Sequence, residues 1–180
     1  TVTDRDLTDV GLARLSALKG LSRLVLTDVA VTDAGLGPLA ASSTLRALDL
    51  SGTAITDHAS NNLSRLGNLT ELSLADTAFS DRGLSRLEGL GKLVSLDLAG
   101  LSISIDGLVV ALPKLTSLQH LNLSQTWIVN ADLRVLAKVR NLRSLAIRDT
   151  VIGDKGIALI AKLKSLKRLW IERTRITKTG

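Results

Sequence analysis

One frame recurs along almost the whole chain. It opens at Leu21, Leu45, Leu69, Leu93, Leu118, Leu142 and Leu166, at spacings of 24 residues except for 25 between Leu93 and Leu118. Its first, fourth and sixth positions read L-x-x-L-x-L, with Ile147 and Ile171 the two departures from Leu. Leu, Ile and Val fill 60 of the 180 positions, 38 of them Leu. Twenty-one apolar hits in a row therefore have a chance probability of ~10⁻¹⁰. Position nine is Thr in Thr53, Thr77, Thr126, Thr150 and Thr174, with Val29 and Leu101 as exceptions. Position eleven is apolar throughout, and a T-D-x-G-L-like stretch follows, as at Thr32-Asp33 and Thr56-Asp57. Val2 and Leu7 to Leu18 form a partial copy at the front, and residues 166–180 form another at the back.

Each part of the frame has a physical meaning. The L-x-L alternation puts positions four and six on the inward face of a strand. The hydroxyl residue before the helical stretch reads as an N-cap, and the acid after it as a first-turn carboxylate favoured by the helix dipole. The small residue two places on (Gly35, Ala59, Gly83, Gly107 or Gly156) would let the helix start lie close to the strand layer. One strand and one helix cannot bury their apolar faces alone, so successive copies must stack. The expected fold is α/β: a right-handed solenoid with a parallel concave sheet and short convex helices, forming a single domain over residues 1–180.

On these residues the chain resembles leucine-rich repeat proteins, over essentially its full length. The T-x-I-T-D-x-G-L text is similar to the bacterial and F-box-associated style of repeat. The resemblance implies a hydrogen-bond ladder at position nine, where the family usually has Asn or Cys. Here the Thr hydroxyl is expected to make the equivalent bond to backbone. It also implies a concave face that binds ligands.

The repeat from Leu93 to Ser117 is one residue longer, with Leu101 in place of Thr, Ile105 in place of Asp, and Pro113 near its helix end. It reads as an insertion tolerated on the convex side, the alternative being a bend or contact site. Solenoids need polar caps, and neither end of the sequence looks capped. The chain opens at Thr1 and contains no Met, as an excised fragment or mature piece would.

Chemistry finds little footing. Without Cys there is no disulfide, thiolate metal site or cysteine nucleophile. His58 and His120 fall at different frame positions, so no metal or other cofactor is expected. Asp49 and Asp97 share position five two strands apart, near 10 Å at ~4.8 Å per strand. That spacing is compatible with a glycosidase carboxylate pair, but no pocket-forming residues separate them. The chain is expected not to be an enzyme. Three aromatic residues are too few for base stacking, which argues against nucleic acid. No apolar run is long enough to span a membrane.

Charge is divided unevenly. Residues 1–133 hold 10 Lys/Arg and 14 Asp/Glu, a net of −4, whereas residues 134–178 hold 13 and 3, a net of +10. An acidic protein partner would suit the basic end. Lys138, Arg140, Lys162 and Lys164 read as a solvated convex face. Trp170 is the informative outward residue, since a Trp projecting from a sheet beside Arg has the profile of an interface hot spot. The expected contact patch is His120, Arg148, Arg168, Trp170, Glu172 and Arg173, flanked by Arg143 and Lys167. The expected function is protein–protein recognition on the concave sheet. Two alternatives are the substrate-recognition part of a larger ubiquitin-ligase-like enzyme or effector, and end-to-end structural assembly.

Overall fold

The computed structural model describes residues 7–177; Val2 and the last three residues lie outside that range. Seven three-residue strands form one parallel sheet in chain order: β1 (Arg23–Val25), β2 (Ala47–Asp49), β3 (Glu71–Ser73), β4 (Ser95–Asp97), β5 (His120–Asn122), β6 (Ser144–Ala146) and β7 (Arg168–Trp170). The register aligns equivalent frame positions, so Leu24, Leu48, Leu72, Leu96, Leu121, Leu145 and Leu169 lie in one row. Short helices return the chain: α1 (Asp9–Leu15), α2 (Leu36–Leu39), α3 (Ser60–Ser64), α4 (Asp81–Leu84), α5 (Ile105–Ala111) and α6 (Asp154–Ile160). Several are extended by 3₁₀ turns, and the return over Asn130–Lys138 is wholly 3₁₀. The inward Leu rows from β1 to β6 are buried in one continuous core, whereas Leu166, Leu169 and Ile171 of the last repeat are half-buried.

The Thr residues at position nine do what their spacing predicts. Each hydroxyl donates to the carbonyl three residues back, at 2.5–2.8 Å, closing the turn after its strand. Position eight is not part of the open sheet face but the reversal itself, left-handed in the seven repeats from Leu21 onward with φ between 54° and 71°. Glycine occupies it only at Gly52 and Gly100, where a Cβ would sit 2.0 Å from the carboxylate of Asp28 or Asp76 in the preceding repeat. Elsewhere the position is Asp, Gln or Arg, at the modest cost a single left-handed residue carries.

The acid after the N-cap differs from expectation. Thr32, Thr56, Ser80 and Ser104 do cap their turns, each accepting from the amide two residues on at 3.3, 3.2, 3.3 and 3.3 Å. The acid, however, reaches forward to the next repeat. Asp9, Asp33, Asp57, Asp81 and Asp154 each accept from both the backbone N–H and the hydroxyl of Thr32, Thr56, Ser80, Ser104 and Thr177, at 2.6–2.9 Å. This second ladder joins consecutive repeats on the side away from the sheet. It also corrects the reading of the small residue. The space a Cβ would need at Gly35, Gly83 or Gly107 is filled by the carboxylate of the preceding repeat, 2.4–2.5 Å away, rather than by the strand layer. Ala59 shows that one methyl can still be placed there.

At the irregular repeat the ladder breaks on both sides at once. Ile105 offers no carboxylate, and Val129, which would have received it, has no hydroxyl; the Val129 N–H bonds instead to Asp132 of its own repeat at 2.8 Å. The inserted residue is absorbed by α5 and the 3₁₀ turn Leu112–Lys114, where Pro113 starts a turn rather than interrupting one.

Asp57 carries three of these bonds. Its desolvation opposes ionisation, but the Ser80 hydroxyl and N–H, the Gly83 N–H and the nearby Arg82 outweigh it and hold the carboxyl below its ordinary value of 3.8. A carboxyl shifted down by folding adds stability above its unfolded pKa and loses it as pH falls through the folded one. Asp57→Asn is expected to cost about 1–2 kcal/mol at neutral pH, the scale of charge-assisted hydrogen bonds in a half-exposed site. Urea midpoints taken between neutral pH and pH 3 should fall less steeply for the variant, because the titrating group is gone.

Candidate functional site

The open sheet face is built from positions three and five, whose side chains alternate with the buried Leu row. At the N-terminal end a hollow of about 270 Å³ is crossed by an ion pair: Arg23 and Glu71 meet at 2.7 Å across β2, above the buried Ala47. Asp49 and Asp97 are held to the backbone. Asp49 accepts from the Ser51 N–H and hydroxyl, and Asp97 accepts from the Ala99 N–H and the Asn122 amide. Both carboxylates therefore serve to end their strands, and no catalytic pair follows from their common frame position. Among the described residues no group of three or more His, Asp and Glu could hold a metal ion.

At the C-terminal end the face opens into a hollow of about 310 Å³. Its cause is visible strand by strand. On position three the order is His120, Ser144, Arg168; on position five it is Asn122, Ala146, Trp170. β6 thus supplies two small residues between two strands of large ones. Ser144 and Ala146 are 4% and 9% exposed and make the floor; His120 and Asn122 form one wall, Arg168 and Trp170 the other.

Trp170 does not project into solvent as expected. It is half-buried, with the guanidinium carbons of Arg148 and Arg168 at 5.7 and 5.9 Å from its ring centroid. Two cations on one indole fix its orientation through cation–π attraction. Arg168 is held in turn by a 2.9 Å bond from its Nε to the Ser144 hydroxyl. Arg148 pairs with Glu172 at 2.7 Å, and the Arg148 hydrogen bond holds the Glu172 carboxyl below its ordinary range. Arg173 lies outside the hollow, in the left-handed turn of the last repeat, where it grips Asp149 with two hydrogen bonds. Arg143 and Lys167 are exposed at the starts of β6 and β7 and face no acid among the described residues. Of the eight residues expected to form the patch, the hollow gathers His120, Arg148, Arg168 and Trp170; Glu172 and Arg173 act through their ion pairs, and Arg143 and Lys167 stand at its margin.

The sequence reading missed Trp127, which is 78% exposed. The signal was available: position ten is Ala or Ser in the four preceding repeats, and Trp there departs from a frame that sends this side chain outward.

Only after this geometry do comparisons carry weight. A family model described as leucine-rich repeat matches residues 41–58, 68–87 and 140–161. The fold is similar to two internalin crystal structures from Listeria monocytogenes. One, inlF, has a TM-score of 0.66 and 23% identity over 93% of this chain and 52% of that one. The other, inlC2, has a TM-score of 0.74 and 29% identity over 96% and 70%. The chain thus spans about half the length of the first. No curated protein sequence matches it. The chain has the fold of an α/β leucine-rich-repeat solenoid. It resembles internalins in fold.

His120 is held below its ordinary value of 6.5 by burial and by the charges of Arg168 and Arg143. Its NMR titration is therefore expected below 6.5 in the intact chain, and Arg168→Gln should move it upward by removing one of the two cations.

Proposed function

We propose that this solenoid binds a protein ligand on its open sheet face, centred on the hollow between β5 and β7, and performs no covalent chemistry itself. Trp170 supports this most directly: a large ring, part exposed, oriented in advance by Arg148 and Arg168 beside a side-chain-sized depression. An indole so held loses little entropy when a partner covers it. Its apolar area and its Arg neighbours are the residue types that dominate interface energies. The partner would place one side chain over Ser144 and Ala146 and set carboxylates against Arg168, Arg143 and Lys167. Arg148 and Arg173 add less net attraction, because Glu172 and Asp149 already neutralise them. The fold neighbours and the repeat-family match support recognition as the general role.

The test is capture from nuclease-treated lysate, comparing the parent with Trp170→Ala, Arg168→Gln and, as a second exposed indole, Trp127→Ala. A protein partner held by the parent and by Trp127→Ala is expected to weaken by about thirtyfold with Trp170→Ala, the ~2 kcal/mol of a hot spot. Equal retention by folded Trp170→Ala and Arg168→Gln variants would remove the hollow from the binding surface.

A further inference from the structure

The six basic residues that bracket the openings of the last two strands form an ordered array. Lys138, Arg140 and Arg143 stand four and two residues before Leu142 and one after it; Lys162, Lys164 and Lys167 stand in the same places around Leu166. Because equivalent positions align between repeats, these are three pairs, of which Arg143 and Lys167 immediately precede the paired strands β6 and β7. All six are exposed, and none is in an ion pair among the described residues.

The fold itself does not call for these charges. Around Leu93 the same three places hold Gly89, Gly91 and Val94, and around Leu69 they hold Arg65, Gly67 and Thr70. Attraction to a helix C-terminus accounts for Lys138 alone, since α6 has no basic residue in its last turn. Six like charges on adjacent repeats repel one another, so the array costs stability without an internal counter-charge.

Between the two rows lies a hollow of about 330 Å³, lined by Leu136, Val139, Leu142 and Leu163 below and by Arg140, Lys162 and Lys164 at the rim. Leu163, at the opening, is only half-buried. An apolar floor beneath a cationic rim is mismatched to a sugar–phosphate backbone, which offers nothing to fill it and finds no aromatic ring there on which to stack bases. It does match an acidic peptide segment carrying an aliphatic or aromatic side chain among its carboxylates.

We propose that this flank, at the edge where the strands begin, is a docking surface for such an acidic peptide segment of a partner protein. The segment seats one apolar side chain between the ends of the Asn130–Lys138 return and of α6, and its carboxylates span the Lys138–Lys162, Arg140–Lys164 and Arg143–Lys167 pairs. Arg143 and Lys167 also border the Trp170 hollow, but the apolar seat and the other four cations lie apart from it, so the two surfaces can be tested separately.

The experiment selects short random peptides displayed on phage against the intact chain. Each recovered peptide is then measured by fluorescence anisotropy against the parent and against a variant carrying Arg140→Gln, Lys162→Gln and Lys164→Gln, with folding followed by circular dichroism. Acid-rich peptides with an embedded Leu, Ile or Phe are expected. They should bind the triple variant about tenfold more weakly or worse, lose affinity with added salt, and bind Trp170→Ala unchanged. Replacing the embedded apolar residue by Ser should weaken them as well. The proposal is overturned if no acid-rich peptide depends on the three cations, or if the Ser replacement has no effect. It is equally overturned if oligothymidylate competes as well as the peptide, which would make the flank a nucleic-acid surface. Should the triple variant fail to fold, the three single Gln variants carry the same comparison.

Discussion

A strand of three residues makes too few hydrogen bonds to persist alone, and every strand among the described residues has that length. Order therefore comes from the neighbour, repeat by repeat. The Leu rows at positions four and six are buried only because the next copy lies against them, and where no described copy follows, Leu166, Leu169 and Ile171 stay half-buried. Stability in such a stack is a sum of nearest-neighbour terms, with no distant contacts to compensate for a weak joint. That explains why five of the joints carry a second tie, the Asp-to-Thr or Asp-to-Ser ladder on the side away from the sheet.

The ladder also shows how far one sequence can be read. The hydroxyl–acid dipeptide was recognisable as a cap, and the cap is present. The carboxylate's true partner lies 23 residues on, and nothing within one repeat points to it. Comparing repeats would have found it. Where the acid becomes Ile105, the hydroxyl of the next repeat becomes Val129; where it becomes Asn130, the next is Gly153, which keeps only the N–H bond at 2.8 Å. Donor and acceptor vary together because a lone hydroxyl or carboxylate in a half-buried joint would lack its partner.

The same cross-repeat logic governs the candidate site. Arg148 and Glu172 share position seven, and Asp149 and Arg173 share position eight, each pair 24 residues apart and in contact. In a stack of this kind, equal frame position means spatial adjacency, so both ion pairs were written in the sequence. Reading Arg148, Glu172 and Arg173 as free contact residues overlooked that Arg148 and Glu172 neutralise each other and that Asp149 neutralises Arg173. The hollow was less legible. It depends on a contrast among three strands, small on β6 and large on either side, and on the indole of Trp170 lying down between two guanidinium groups. Repeat spacing fixes which residues are neighbours but not the rotamer that a large ring adopts beside them.

What remains after the internal pairing is an uneven distribution of unmet charge. Beside the open face, four of the charges nearest the C-terminal end are spent on each other, leaving Arg168 beside Trp170. On the flank where the strands begin, no acid among the described residues pairs with the cations around Leu142 and Leu166. Internal ion pairs preorganise a surface, because they fix side chains that a partner would otherwise have to immobilise. Unanswered charges act differently, since they repel one another until a counter-charge arrives and so draw an acidic partner from a distance. The same repetition thus makes two kinds of surface: a hollow whose neighbouring charges largely neutralise one another, and an edge whose cations do not.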